Sequence, residues 1–318
     1  FAIIFVPQQS NELIEKMNRI SFYARSHYKP RGNSKHVFIC GDLKSTSLVE
    51  FFSELFHEDH EITNLNAVIM QPEPPSNDMH AVLRDPLFNI SVHYLDGSPL
   101  NDHDLVRAKA STAIAIFVMG NKFSTNPDEE DAKTILQQFS IRRFIMSQPS
   151  CDPLFCLQLI RPENRRHLEI EDPDSDKELV VCLNEMKMGI IAKTCMFPGT
   201  STVIFNLLTS FAEDDTETIE KGGGGGGDDD DTDEDITEDE DEDDSGMWIT
   251  EYQKGCDWEI YTTEMAEVFE GARFIDLAQR IYIKLGVVLF ALKIRDLKGK
   301  GGVRVILNPS DYVIPSKE

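Results

Sequence analysis

The residues best suited to bind a ligand are carboxylates, and they fall into two short groups far apart in the chain. One group follows an amphipathic stretch and comprises Glu54, Glu58, Asp59 and Glu61. The other is the pair Asp257 and Glu259. Carboxylates at the end of a helix are unfavourable without a nearby cation, and calcium takes about six to eight oxygen ligands. The two groups predict a calcium site if the fold brings them together; a solvated acidic helix end is the alternative.

Patterns that would indicate catalysis are missing from the sequence. It has neither the Gly-x-Ser-x-Gly turn of a serine hydrolase nor the His-Glu-x-x-His pair of a zinc protease. Most histidines are scattered and are predicted to lie at the surface: His57, His60, His80, His93, His103 and His167. We therefore do not expect an enzyme.

The stretch His36–Leu43 is predicted to be the strand and turn that organise the fold. A continuous apolar run that ends at Gly41 is typical of a strand buried on both faces, followed by a tight turn into a helix. A dinucleotide site needs Gly-x-Gly-x-x-Gly at this turn. Here Asp42, Leu43 and Lys44 follow instead, and Asp42 would repel a phosphate. The sequence predicts an α/β, Rossmann-like fold that has lost its nucleotide.

Strands alternate with helices through the first half of the chain, which predicts a parallel sheet. The predicted strands are His36–Cys40, Asn66–Met70, Ser91–Leu95, Thr112–Met119 and Arg143–Met146. The predicted helices are Ser47–Phe56, Asn77–Leu83, Asp102–Ala110 with Asn101 as its cap, and a helix from Pro127 through Ser140.

The second half of the chain predicts a helical arm and a smaller lobe. Leu179–Met196 and Thr200–Phe211 are apolar at helical spacing, which indicates an arm that packs on another subunit, with added core as the alternative. A helix over Arg273–Leu285 and strands over Val287–Ile294 and Val303–Leu307 predict the start of a smaller α+β lobe.

Charge and composition narrow the classes of partner. The 318 residues carry a net charge of −25, which argues against nucleic acid. Residues 228–244 hold fourteen Asp and Glu, and the rest of the chain is still acidic at −11. With the glycines before it, this run is predicted to be disordered; a loose calcium-binding tract is the alternative.

The cysteines, the hydropathy and the basic residues indicate where the protein is located in the cell. The six cysteines form no CxxC pair, which indicates a reducing compartment, and Cys40 and Cys182 lie in apolar runs typical of a core. No apolar run reaches the length of about 18 residues that a membrane span needs. The first residue is Phe1 rather than Met, which suggests a piece of a longer protein. A basic stretch would be attracted to anionic lipid and comprises Arg25, Lys29, Arg31 and Lys35.

Several blocks of sequence resemble the first RCK domain of Slo (BK-type) calcium-activated potassium channels. They are Lys35–Asp42, Phe51–Asp59, Leu100–Lys109, Gly120–Phe123, Asn126–Ala132, Asn184–Ala192, Pro198–Thr202, Glu259–Thr262 and Ile306–Pro309. The resemblance covers nearly the whole chain except the glycine and acid run. Blocks in the right order are more specific than any single motif.

The resemblance implies particular metal ligands. The family's first RCK domain binds calcium through an aspartate after the first helix and a glutamate in a later acidic turn, which by motif position are Asp59 and Glu259. Asp257 stands where the family has a serine, and a backbone carbonyl near Phe211 should complete the site. The family's magnesium pair falls on Asn66 and near Val92, so no magnesium site is expected.

The resemblance also implies an organisation and partners. The implied parts are the end of the inner pore helix with its linker (1–35), a Rossmann-like N-lobe (36–162), a helical crossover or dimerisation arm (163–211), a disordered insert (212–246), and a second crossover helix with the C-lobe (247–318). Such domains form a ring of eight under a tetrameric pore. The expected partners are other RCK domains and the chain's own pore domain, on the cytosolic side of the plasma membrane.

The implied function is gating by linkage. Calcium that binds between the lobes and favours one of their arrangements would shift the ring and open the pore. One alternative is a nucleotide-binding transport regulator or an oxidoreductase on the same fold. Another is a structural ring domain with no ion bound here.

Overall fold

A doubly wound parallel sheet is the centre of the fold. The computed structural model describes residues 21–32, 34–57, 64–148, 153–168, 178–209, 251–252, 255, 260–295 and 303–315. One sheet in these ranges consists of β1 (Lys35–Gly41), β2 (Leu65–Gln71), β3 (Val92–Asp96), β4 (Ala115–Met119), β5 (Leu154–Leu159) and β6 (Glu178–Cys182). Its order is β3-β2-β1-β4-β5-β6, and every neighbouring pair is parallel. The predicted Rossmann-like fold is confirmed.

Helices connect these strands and continue beyond the sheet. They are α1 (Phe22–Arg25), α2 (Ser45–Leu55), α3 (Asn77–Arg84), α4 (Asp102–Ala108), α5 (Pro127–Met146), α6 (Leu183–Met196), α7 (Thr200–Leu208) and α8 (Phe274–Leu285). Short 3₁₀ helices lie at Ala110–Thr112, Pro162–His167 and Glu267–Phe269. The predicted cap is confirmed, because Asn101 Oδ1 accepts a hydrogen bond from the amide of His103 at 3.1 Å.

The central strands are buried on both faces, as their continuous apolar runs predict. In β1, Phe38, Ile39 and Cys40 have no exposed surface. Cys40 and Cys182 both belong to the main hydrophobic cluster, which confirms them as core residues. Burial raises the pKa of both thiols, so neither is a reactive thiolate at neutral pH.

The predicted fifth strand is wrong. Arg143–Met146 is the last turn of α5, in which Ile141, Phe144 and Ile145 are buried at helical spacing. The fifth strand is instead Leu154–Leu159, with its alternate residues buried. Residues 179–182, predicted to be helical, form most of β6, so that α6 begins at Leu183. Short apolar runs suit either a strand or a helix end, and tertiary packing decides between them.

The later part of the chain contains a second, small sheet. β7 (Ala291–Arg295) and β8 (Val303–Leu307) form an antiparallel pair, and β7 begins four residues later than predicted. The described residues fall into two units, one within Phe1–Phe52, Ile62–Lys187 and Glu264–Glu318, the other within Ser53–Glu61 and Met188–Thr263. The predicted domain boundaries stay predictions.

The two helices of the predicted arm have no buried residues. Their exposed apolar side chains include Met188, Ile191, Met196, Val203, Phe205 and Leu208. A helix with this much apolar surface gains stability when a partner covers it. This exposure is consistent with an arm that packs on another subunit, which stays a prediction.

Candidate functional site

All the residues predicted to bind calcium lie outside the described ranges. They are Asp59, Asp257, Glu259 and Phe211, and two further carboxylates of the first group, Glu58 and Glu61, lie outside them as well. Glu54, the remaining member of the first group, is half-buried in the last turn of α2. Within the described ranges, no group of three or more His, Cys, Asp or Glu side chains is arranged to hold a metal ion. The calcium site therefore stays a prediction.

The switch point of the sheet, between the carboxyl ends of β1 and β4, brings two backbones into contact. Gly41 has a φ of +120°, and a Cβ at this position would lie 1.9 Å from the carbonyl oxygen of Met119. The amide of Asp42 donates a hydrogen bond to the same oxygen at 3.1 Å. Ligands of open α/β sheets bind in this crevice. Here the predicted glycine turn holds the two strand ends together.

At this crevice, the loop that follows β1 and the loop that follows β4 are joined by side-chain contacts. Asn121 Nδ2 donates to Asp42 Oδ2 at 3.2 Å, and the amide of Asn121 donates to Glu130 Oε1 at 2.9 Å. The ammonium group of Lys44 lies 4.9 Å from the centre of the Phe123 ring. Glu130 therefore uses a backbone amide that could otherwise bind a phosphate. This arrangement disfavours a dinucleotide.

A second polar cluster fastens the N-terminal segment, which we define as residues 21–34. Arg107 of α4 is only 5% exposed, and its guanidinium donates to three main-chain carbonyls. Nε reaches Ser26 O at 3.1 Å and Nη2 reaches Tyr23 O at 2.9 Å, both in the segment. Nη1 reaches Asp96 O, at the end of β3, at 3.1 Å. One buried arginine thus joins the segment, β3 and α4.

The charge of Arg107 is balanced by Asp104, whose Oδ1 lies 2.7 Å from Nη1. Asp104 Oδ2 accepts from the amide of Ser98 at 3.1 Å and from Asn101 Nδ2 at 3.2 Å. Burial opposes the ionisation of Asp104, but the hydrogen bonds from Ser98 and Arg107 outweigh it and lower its pKa. Gly97 leaves room for this carboxylate, because a Cβ there would lie 2.9 Å from Asp104 Cγ.

Tyr28 fastens the segment a second time, further along the chain. Its side chain is buried in the main core, and its amide donates to the carbonyl of Arg107 at 3.0 Å. Its hydroxyl accepts from Asn66 Nδ2 at 3.0 Å. Its ring centre lies 4.7 Å from that of His36 and 5.2 Å from that of His93. The segment therefore enters β1 from a fixed point.

Asn66 and Val92 are the residues on which, and near which, the resemblance places the family's magnesium pair. Asn66 Nδ2 also donates to Ser34 Oγ at 3.2 Å, so this side chain ties the segment to β2. Val92 is a buried apolar residue at the start of β3. Neither side chain presents a charged oxygen to a cation.

Two histidines at this cluster are held neutral. His36 is 3% exposed, and burial lowers its pKa although its Nε2 lies 3.2 Å from the carbonyl oxygen of Lys109. Burial, and then the charge of Arg31, lower the pKa of His93. His93 was predicted to lie at the surface, but it is half-buried against Tyr28.

Sequence reasoning missed the pair of Asp104 and Arg107. The available signal is their opposite charge at i and i+3 of a predicted helix, in which Leu105 and Ala108 face the core. That signal indicates an ion pair. It does not indicate that the arginine also donates to the carbonyls of Ser26 and Tyr23, which lie 81 and 84 positions earlier in the chain.

Two family models match consecutive parts of the chain. Residues 32–187 match the calcium-activated potassium channel slowpoke-like RCK domain, and residues 178–292 match the calcium-activated BK potassium channel alpha subunit. The calcium-activated potassium channel slo-1 of Caenorhabditis elegans is 27% identical over 290 residues, which are 90% of this chain and 22% of that protein. The Drosophila melanogaster calcium-activated potassium channel slowpoke is 27% identical over 301 residues, which are 94% of this chain and 22% of that protein. The chain thus spans about a fifth of the length of these curated relatives.

A solved structure has the same fold. The human SLO3 gating ring matches with a TM-score of 0.59 at 19% identity, over 89% of this chain and 42% of that chain. Among the helices that the structure describes here, none has both the length and the apolar character needed to cross a bilayer.

Proposed function

Because the chain belongs to the slowpoke-like RCK domains of calcium-activated potassium channels, we propose that it is a ligand-sensing domain of a channel's gating ring. The observation that carries this proposal is the succession of two family models of one channel type along residues 32–292. The relatives named above are channels rather than enzymes. The missing glycines after Gly41 also favour a sensor without a dinucleotide.

Calcium is the proposed ligand, with Asp59 and Glu259 as its charged ligands. Asp257 adds a third carboxylate, and a backbone carbonyl near Phe211 adds a neutral oxygen. The support is the position of Asp59 and Glu259 in blocks that resemble the family, and the names of the relatives, which are calcium-activated channels. Such a set of oxygens suits a hard divalent cation.

The proposed mechanism is linkage between calcium binding and the conformation of the ring. Calcium shifts the equilibrium only by the difference between its affinities for the closed and open arrangements. The proposed partners are further RCK domains, which form the ring, and a pore domain of the same polypeptide. The N-terminal segment, at the cytosolic face of the plasma membrane, passes the change in the ring to the pore.

Anionic lipid is a further proposed contact of this segment and of Lys35, the first residue of β1. Arg25, Lys29, Arg31 and Lys35 are exposed. Basic side chains close to a bilayer are attracted by about 1 kcal/mol each when the lipid is anionic. Their exposure leaves them accessible to such a surface.

Calcium titration of the purified chain tests the proposed ligand set. We expect heat of binding from the wild type and its loss in Asp59→Ala/Glu259→Ala. The variant Asp78→Ala/Glu264→Ala is the matched control, because it removes two exposed carboxylates that are not predicted ligands. Wild-type protein that binds no calcium would favour the structural ring domain. Binding that survives the first double variant would indicate the acidic run at 228–244, which a deletion of that run would remove.

A further inference from the structure

We propose that Arg107 is the positioning residue that fixes the N-terminal segment to the lobe, so that the segment moves with the lobe as one body. The fixing of the segment follows from its contacts alone. Its consequence for gating rests on the proposed function, in which the segment connects the ring to the pore.

Apolar packing does not hold the first part of the segment in place. α1 has no buried residue, and Phe22 is 80% exposed. A cleft of about 320 Å³ lies beside the segment, bounded by Phe22 and Tyr23 on one side and by Leu83 and Tyr94 on the other. Tyr23 is the side chain of α1 that contacts the lobe: its ring lies 5.4 Å from that of Tyr94 and 5.8 Å from that of His80, and its hydroxyl lies 3.5 Å from His80 Nδ1. Beside these contacts of one side chain, the hydrogen bonds from Arg107 attach the main chain of residues 22–26 to the lobe.

Arginine is suited to this attachment because its donors are fixed in one plane and point in several directions. Nε and Nη2 reach the carbonyls of Ser26 and Tyr23, while Nη1 is held by Asp96 O and Asp104. A lysine ammonium has three donors on one nitrogen and cannot reach the separate acceptors that lie around the edges of the guanidinium group. It would keep the positive charge that Asp104 requires, yet lose the attachment.

The second attachment limits what the loss of Arg107 contacts can do. Tyr28 is buried and hydrogen-bonded independently of the Arg107 side chain, because its amide donor is paired with the main-chain carbonyl of Arg107. Its hydroxyl is paired with Asn66. Replacement of the guanidinium should therefore free residues 22–26 and leave the entry into β1 unchanged.

Hydrogen exchange on the whole chain tests the attachment. In Arg107→Lys we expect the amides of Ala24 and Ser26, which are bonded within the segment, to exchange about tenfold faster than in the wild type. Amides of β1 should keep their protection. Arg161→Lys is the matched control, because Arg161 forms an exposed ion pair with Asp128 at 2.9 Å, away from the segment. Unchanged exchange at Ala24 and Ser26 in Arg107→Lys would overturn the proposal.

Currents from the full-length channel that carries this chain test the consequence. We expect Arg107→Lys to reduce the calcium-induced shift of the half-activation voltage by at least half, with the calcium affinity of the isolated chain unchanged. A purely structural role would instead lower calcium affinity, thermal stability and channel number together. If calcium shifts the half-activation voltage of Arg107→Lys as far as that of the wild type, the role of Arg107 in gating is overturned. A wild-type channel that ignores calcium would overturn the proposed function, while the exchange experiment would still decide whether Arg107 holds the segment.

Discussion

The crevice at the switch point and the cluster around Arg107 are both polar, but they are built differently. At the crevice, Asn121 and Asp42 pair through exposed side chains at 3.2 Å. At the segment, Arg107 and Asp104 are buried and 2.7 Å apart. The pair of Asn121 and Asp42 at the fold's usual ligand-binding crevice is therefore a surface contact, whereas the pair of Arg107 and Asp104 is buried where the chain enters the lobe.

This difference indicates what the described part of the lobe is suited to do. A ligand site needs unpaired polar groups around a cavity, whereas the groups at both regions are paired with each other. A buried and fully paired cluster is suited to hold two chain segments in one geometry. The described part of the lobe is in this respect a rigid attachment, and the carboxylates proposed to bind calcium lie outside the described residues.

The largest effect should come from Gly41→Ala, at the crevice. The new Cβ would meet the carbonyl oxygen of Met119, at a φ that disfavours side chains. We expect the free energy of unfolding to fall by about 3 kcal/mol or more in urea titrations. Gly32→Ala is the control, because its φ is +60° with no atom within 4 Å, and it should cost about 1 kcal/mol. Equal costs would mean that β1 and β4 are not in close contact.

Asp104→Asn should have the next largest effect, at the other region. The change leaves the buried guanidinium of Arg107 without its counter-charge, although an amide oxygen can still accept a hydrogen bond. We expect a loss of about 2–3 kcal/mol in urea titrations. A loss below about 0.5 kcal/mol would remove the contrast between the buried and the exposed pair.

Acid should lower the stability of the fold through the two buried or half-buried histidines beside the segment. His36 and His93 have pKa values lowered from 6.5 by burial, so the unfolded chain binds protons first as the pH falls. Their contribution to stability is complete above pH 6.5 and is lost as the pH falls below it. We expect a lower urea midpoint at pH 5.5 than at pH 7.5, and a smaller difference in His93→Gln. The same difference in both proteins would contradict this assignment.

Asp42→Asn should have the smallest effect. Asp42 is exposed, and its partner Asn121 can pair with an amide as well as with a carboxylate, so the unfolding free energy should change by less than about 0.5 kcal/mol. Neither NAD nor ADP should raise the melting temperature of the wild type. A rise of several degrees with either nucleotide would revive the nucleotide-binding alternative.

Much of the sheet could be predicted because the signals are local. Val37–Cys40 is a continuous apolar run before a glycine, and such a run is typical of a strand that is buried on both faces. The fifth strand could not be predicted in the same way. Phe144 and Ile145 form an apolar pair that fits a short strand, and only their packing with Ile141 on one face of α5 shows the helix.

The cluster around Arg107 depends on tertiary contacts that sequence patterns do not encode. The acceptors on Tyr23 and Ser26 are main-chain atoms, which every residue type has, so no side-chain pattern marks them. The metal ligands are the opposite case. Asp59 and Glu259 are marked by the motifs around them, but their spatial relation stays a prediction.

Attachment through main-chain carbonyls has a consequence for how such a segment can diverge. The carbonyls of Tyr23 and Ser26 would remain available to Arg107 after almost any substitution at those two positions. Selection can therefore change the side chains of residues 22–26, and with them the surface that they present, without losing the attachment to Arg107. Drift should be tolerated at Phe22 and Ala24 and resisted at Arg107. A comparison of many related sequences would show this as a variable segment facing an invariant arginine.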